Sequence, residues 1–347
     1  MRHIGLIPRN RLSNIPPELR VRHEFCFFLH DQCVQILKEY EDAEAHFVTL
    51  DLQSSITAQQ FQEILDAEDP ITALRRTGFP NEARRVIINQ VTMALAADLL
   101  HHLFEGLRCL EKRKVIVAMN LLRKPLKDNL LYLAWMLGDE DHFYNEFTKG
   151  DPERLTQQRL GNVRVNIISK AIARTRVGSL VDATLLNGLL YDRRNVHSGL
   201  EELFQHAVHL ITIRHIELRT SPENFNFIFK NYEDDDIYYT IYSCIPYVLL
   251  FMSHVLASLF DRMRPMDRGS LDAFCLRSLY GFSLLEDVQS EWAHNLFESA
   301  LRQSVTCRSC HSPLTVTRYN RIRILLTDSF RCTSCRRVNA FPFSWLV

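Results

Sequence analysis

Apolar residues recur at three- and four-residue spacing through most of this chain, and strict alternation is scarce before residue 312. That periodicity predicts α-helices rather than strands. Behind Pro16 and Pro17 it predicts a helix over 18–40, with Phe25, Phe28, Leu29, Cys33, Ile36 and Tyr40 on one face. The run AHFVTLDL reads as a short strand or a loop, and Thr57, with Gln60 three residues on, as the cap of a helix through Leu65. Pro80 introduces a long helix over 82–110, and the basic run Lys112, Arg113 and Lys114 follows it.

Residues 115–137 form an apolar helical stretch that Pro125 kinks or divides. Asp139, Glu140 and Asp141 lead into a short amphipathic helix, and Gly150, Asp151 and Pro152 make a turn. The next helix is expected over 152–176, with Arg154, Arg159, Arg164, Lys170, Arg174 and Arg176 forming a basic, solvated face. Ser179 or Asp182 caps the helix after it. An acidic surface turn at 233–236 precedes an apolar helix beginning near Pro246, 262–270 reads as a linker, and 271–303 as a last helical region. The most apolar segment, Cys244 to Phe260, holds His254 and two serines within 17 residues, so it reads as a core helix rather than a membrane span.

Composition narrows the picture. The 347 residues are 46% hydrophobic, enough for a buried core, and 41 Lys plus Arg balance 41 Asp plus Glu. No overall charge draws the molecule to nucleic acid or membrane, so any basic surface is local. Of nine cysteines, Cys26, Cys33, Cys109, Cys244 and Cys275 are scattered in apolar contexts and read as reduced core residues. With no signal-peptide core at the start, they suggest a reducing, cytoplasmic setting.

The other four, Cys307, Cys310, Cys332 and Cys335, form C-x2-C-x21-C-x2-C. Two such turns can each wrap one side of a tetrahedral ion, and a separation close to the usual about 15 to 20 residues reads as a structural Zn2+ site. Around them stand Arg308, Arg318, Arg321, Arg323, Arg331, Arg336 and Arg337, opposed only by Asp328. Residues 315–319 and 321–326 have β-propensity and suggest a hairpin turning near Asn320. The arginines, with Arg308, Arg318, Arg321, Arg323, Arg336 and Arg337 foremost, suit phosphate contact. Tyr319, Phe330, Phe341 and Trp345 either stack on unpaired bases or plug the contact with the helical body. The module is thus a nucleic-acid contact or a structural, protein-docking ribbon. The fold class is mainly α, a helical bundle with a small C-terminal β zinc ribbon: an N-terminal helical region at 1–80, a bundle at 81–303 and the ribbon at 304–347.

Polar chemistry concentrates between Tyr191 and Thr220, with Asp192, Arg193, Arg194, Asn195, His197, His206, His209 and His215. An arginine and an asparagine just before a histidine can bind a phosphodiester and supply acid-base chemistry near neutral pH. The segment RRNVH at 193–197, with LLRKPLKDNLLYLAWMLGDEDHF at 121–143, resembles the HEPN superfamily. These are helical-bundle proteins, many of them ribonucleases of prokaryotic toxin and antiviral-defence systems. The resemblance spans residues 80–260 and implies RNA cleavage without a metal. Arg193 would bind phosphate, Arg194 or Asn195 would be its polar neighbour, and His197 the acid-base residue, in a site built across a homodimer. Arg193 stands closer to His197 than the family's motif has it. The alternative is that the two arginines solvate a helix start while His197 packs locally, which leaves a non-catalytic adaptor for a protein partner or nucleic acid. His206 and His209 share a helix face without a zincin motif, and His101 and His102 point apart. No phosphate-binding loop, dinucleotide fingerprint or nucleophile elbow occurs.

Overall fold

The computed structural model describes residues 3–50, 58–192, 199–211, 219–223, 225, 234–283, 285 and 305–341. Thr57 lies outside them. An N-terminal arm runs into α1 (Arg20–Asp42) and is fastened by Glu24, whose buried carboxylate accepts the backbone N–H groups of Ile4, Gly5 and Ile7. After α2 (Ala58–Ala67) and α3 (Pro70–Arg76), which Asp69 caps, the long α4 (Pro80–Glu111) starts with proline at its first position, where the missing N–H costs nothing. Its last residue, Glu111, is buried against the arm. Burial alone would raise its pKa, but hydrogen bonds from His23 and Arg11 outweigh that and hold the carboxyl below its usual range. Arg113, of the basic run after α4, turns inward over the Tyr238 ring to pair with Asp235 at 2.6 Å.

Pro125 divides the apolar stretch, as expected, by opening a π turn rather than a loop. Between α5 (Val115–Lys124) and α6 (Leu130–Gly138), residues Pro125–Asn129 form a π turn, in which the Leu130 N–H reaches back to the Pro125 carbonyl. Proline supplies no donor to the normal ladder, so the winding widens by one residue. Widening turns Lys127 and Asn129 inward, where Asn129 donates to Asp98 at 2.7 Å and Lys127 pairs with Glu201.

Asp139 caps α7 (Glu140–Thr148). The long basic helix expected over 152–176 is broken into a 3-10 turn (Pro152–Leu155), α8 (Gln157–Leu160) and α9 (Arg164–Ile172), because Thr156 is extended at ψ 148°. Four of its six cations are separately committed: Arg154 to Glu146, Lys170 to Asp139, Arg176 to Asp272, and Arg164 over the Tyr191 ring at 3.8 Å. No continuous basic face results. Asp182 caps α10 (Ala183–Tyr191), and α11 (Glu201–Val208) follows.

The apolar α12 (Asp236–Met263) begins ten residues before Pro246, which sits inside the helix. A proline there leaves the carbonyl four residues earlier without its donor. Arg22 of α1 supplies the substitute, its Nη1 donating to the Tyr242 carbonyl at 3.3 Å. Both α4 and α12 are long and apolar enough to cross a bilayer, yet 83% of the apolar window of α12 is buried within the fold. α1 packs along α12 and α4 in one continuous core that also takes in α5, α6, α9 and α13 (Arg268–Ser283). The connection before α13 is shorter than the 262–270 linker, since α12 runs through Met263. Cys26, Cys33, Cys244 and Cys275 are buried, and no described cysteine is in a disulfide.

Candidate metal centre

The C-terminal module is built from two copies of one turn. In each C-x2-C segment the N–H after the second cysteine returns to the first cysteine's carbonyl: His311 to Cys307 at 2.9 Å, and Arg336 to Cys332 at 3.0 Å. The first cysteine's own N–H then closes on the carbonyl beyond, Cys307 on Ser312 and Cys332 on Arg337, each at 2.9 Å. His311 and Arg336 accordingly adopt left-handed backbone, at φ 57° and 61°.

These turns bring all four Sγ atoms within 4.8 Å of one another, with Cys307 and Cys335 at 3.6 Å and Cys310 and Cys332 at 3.5 Å. A tetrahedron of thiolates at about 2.3 Å from an ion has edges of about 3.8 Å, so the cluster fits a metal ion. Backbone and side-chain hydrogen bonds favour thiolate at Cys307 and Cys310, while Cys335 is pushed up to about 11. The Ser309 N–H, first among the causes, lowers the Cys307 thiol to about 6, and hydrogen bonds with Ser312 lower Cys310.

Two buried asparagines, which the spacing of cysteines does not reveal, lock the turns together. Asn339 accepts the Arg308 N–H at 2.9 Å while its Nδ2 donates to Cys307 Sγ at 3.5 Å, supporting a ligand from behind. Asn320 donates to the Thr315 and Arg331 carbonyls and accepts the Arg331 N–H at 2.8 Å. Their only sequence signal is a polar residue inside an apolar or β-forming run.

The expected hairpin across 315–326 is not formed. Residues Arg318–Thr327 are a helix, α14, capped by Thr317, whose hydroxyl accepts the Asn320 N–H. The strands lie later: β1 (Ser329–Arg331) pairs antiparallel with β2 (Val338–Ala340), and Thr306 bridges Pro313. Helix wins because Ile324 and Leu325 point apart and each finds apolar partners, Ile324 in the ribbon core with Phe330 and Phe341, Leu325 in the bundle core. Phe330 and Phe341 are 1% exposed and plug the module rather than facing bases, whereas Tyr319 is exposed. Trp345 lies outside the described residues.

The module is seated closely on α13. A Cβ at Gly281 would stand 2.5 Å from Phe25 and 3.2 Å from Leu325, so only glycine admits α1, α13 and α14 together. Arg277 crosses the junction, stacking on Phe28, donating to the Leu325 carbonyl at 2.6 Å and pairing with Asp328.

Arg308, Arg336 and Arg337 are exposed beside the two cysteine turns. Arg321 and Arg323 are half-buried, Arg323 bonding to Tyr319 and Ser329, and the Arg318 side chain falls outside the described residues. Arg193, Arg194, Asn195 and His197 also lie outside them. The flanks are fixed, however: the Leu200 N–H donates to the Leu189 carbonyl at 2.7 Å, so the chain leaving α10 returns against its end. His206 lies 3.8 Å from Glu202, and His209 stands beyond the end of α11.

Asp328, the single carboxylate of 305–341, is 5% exposed and turned toward Arg277. The charged side chains on the module's outer surface are therefore cationic. No family model, curated protein or solved structure matches this chain.

Proposed function

We propose that the protein is a cytoplasmic RNA-binding protein in which a structural Zn2+, held by Cys307, Cys310, Cys332 and Cys335, fixes an arginine-bearing contact surface on a helical body. The observation that carries this reading is the inward turn of Asp328, which leaves Arg308, Arg336 and Arg337 unopposed outside. Zinc suits four clustered thiols, since thiolate sets of tetrahedral shape select zinc over magnesium or calcium. Replacing Arg308, Arg336 and Arg337 with glutamine is expected to weaken binding of single-stranded RNA and to flatten the log affinity against log salt plot by about 2, at about 0.7 per phosphate contact. Filter binding across a salt series measures it; an unchanged slope would falsify the contact surface.

The resemblance of 193–197 to HEPN nucleases adds a catalytic form of this reading, within a prokaryotic defence or toxin role and as a homodimer. Arg193 would stabilise the charge of the pentacoordinate phosphorus, with Asn195 beside it, and His197 would transfer the proton. No metal takes part in that step. Total RNA incubated with chelator is expected to be cleaved by the protein and left intact by His197→Ala, with unchanged helical content by circular dichroism. RNA bound but uncleaved by the parent protein leaves the binding reading and removes the nuclease.

A further inference from the structure

A cavity of about 250 Å³ opens between the end of α6, the turn after α9, α12 and α13. None of its lining residues belongs to the metal module. Its polar lining comes largely from one helix face: His254, Ser258 and Asp261 stand at i, i+4 and i+7 of α12.

Three arginines also line it, and two are already committed. Arg262 donates to the Met136 and Leu137 carbonyls and pairs with Glu140, and Arg176 pairs with Asp272. Arg174 is exposed and has no ion-pair partner among the described residues. The Asp261 carboxylate accepts the Met266 N–H at 2.9 Å and lies within Coulombic reach of Arg176, but makes no direct ion pair among the described residues. A guanidinium and a carboxylate thus share one small cavity without pairing to each other.

The third group is His254, 2% exposed. In the tautomer with its proton on Nε2, His254 donates to the Ser278 hydroxyl at 2.8 Å while that hydroxyl donates to the Cys275 carbonyl at 2.9 Å. In that tautomer Nδ1, with no partner among the described residues, is a lone-pair acceptor. Burial, and after it the charge of Arg176, pushes the His254 pKa down to about 3, so the ring stays neutral near neutral pH. The Ser258 hydroxyl likewise has no partner among the described residues.

We propose that this cavity binds a small zwitterion of the α-amino-acid type. Its carboxylate lies on Arg174 and the Ser258 hydroxyl, its ammonium on Asp261 and His254 Nδ1, and an aliphatic side chain lies against Leu137 and Ala257. The charges decide between ligand classes. A phosphate would set two negative charges beside Asp261, and a simple amine would leave Arg174 unanswered. The volume lies just below the usual ligand-pocket range, which starts at about 300 Å³, and suits a molecule of this size.

The test uses the full chain with its metal. Thermal unfolding is followed with each protein amino acid in turn and, separately, with inorganic phosphate. At least one aliphatic amino acid is expected to raise the melting temperature. Calorimetry should show its amide and its deaminated acid binding about tenfold more weakly or worse, the loss of one charged hydrogen bond each. Arg174→Gln should erase the preference over the amide, and Asp261→Asn the preference over the deaminated acid. Absence of any shift overturns the proposal, as does a shift by phosphate alone, or amino-acid binding that both variants retain.

Discussion

Stripping the metal from the four thiols is expected to unfold residues 305–341 while the bundle helices persist. The module's own core is small, chiefly Val305, Leu314, Val316, Ile324, Phe330 and Phe341 with Tyr280 beneath. A structural zinc contributes about 10–16 kcal/mol at neutral pH in small peptides, far more than a core of this size supplies alone. Cys332→Ser, which removes a buried ligand, should act like a chelator. Amide hydrogen exchange reads the result: the Cys307, His311, Cys332 and Arg336 amides, which close the two turns, should lose protection together. Metal analysis should find one zinc per chain before treatment. Full protection in metal-free protein would show that packing alone holds the module.

The second large effect is expected at Lys127. The π turn places its ammonium beside Glu201, with the two residues 8% and 1% exposed. Lys127→Met removes the ammonium from this buried pair and leaves the Glu201 carboxylate without that charge. Breaking such a pair costs about 3–5 kcal/mol, whereas replacing both partners with apolar residues is often neutral. Denaturant unfolding should therefore find Lys127→Met strongly destabilised and Lys127→Met with Glu201→Leu close to the parent. Equal losses in the single and double variants would mean that solvent reaches the pair. Glu201 opens α11 just after segment 193–198, so the single variant also loosens the flank of the candidate catalytic segment.

Much of this is legible in the amino-acid sequence. Periodicity locates α1, α4 and α7, proline at a helix start marks α4, and of the two candidates Ser179 and Asp182 it is Asp182 that caps α10. The four cysteines converge because their spacing encodes two turns of one kind. The misreadings share a cause, in that local preference was overruled by partners distant in sequence. Pro246 looked like a helix start, yet Arg22, more than two hundred residues away, supplies the missing donor. Ile322, Ile324 and Leu325 favour strands, but α13 and the ribbon core offer them a helical seat. Arg154, Lys170 and Arg176 looked like one solvated stripe until three carboxylates on other elements divided them. Asn320 and Asn339 carry no motif at all, and only the closed hydrogen-bond geometry shows their place beside the thiols.

The Arg277 and Asp328 pair also bears on how the protein fails. Arg277 sits at the junction, between Phe28 of the bundle and the Leu325 carbonyl of the module, and its counter-charge arrives only when the module is folded. Unfolding of the module therefore removes both the Leu325 and the Asp328 partners of Arg277 and opens the apolar face around Phe25, Tyr280 and Gly281 to water. Metal starvation would reach the bundle as stickiness, and the first sign in solution would be self-association rather than loss of helix.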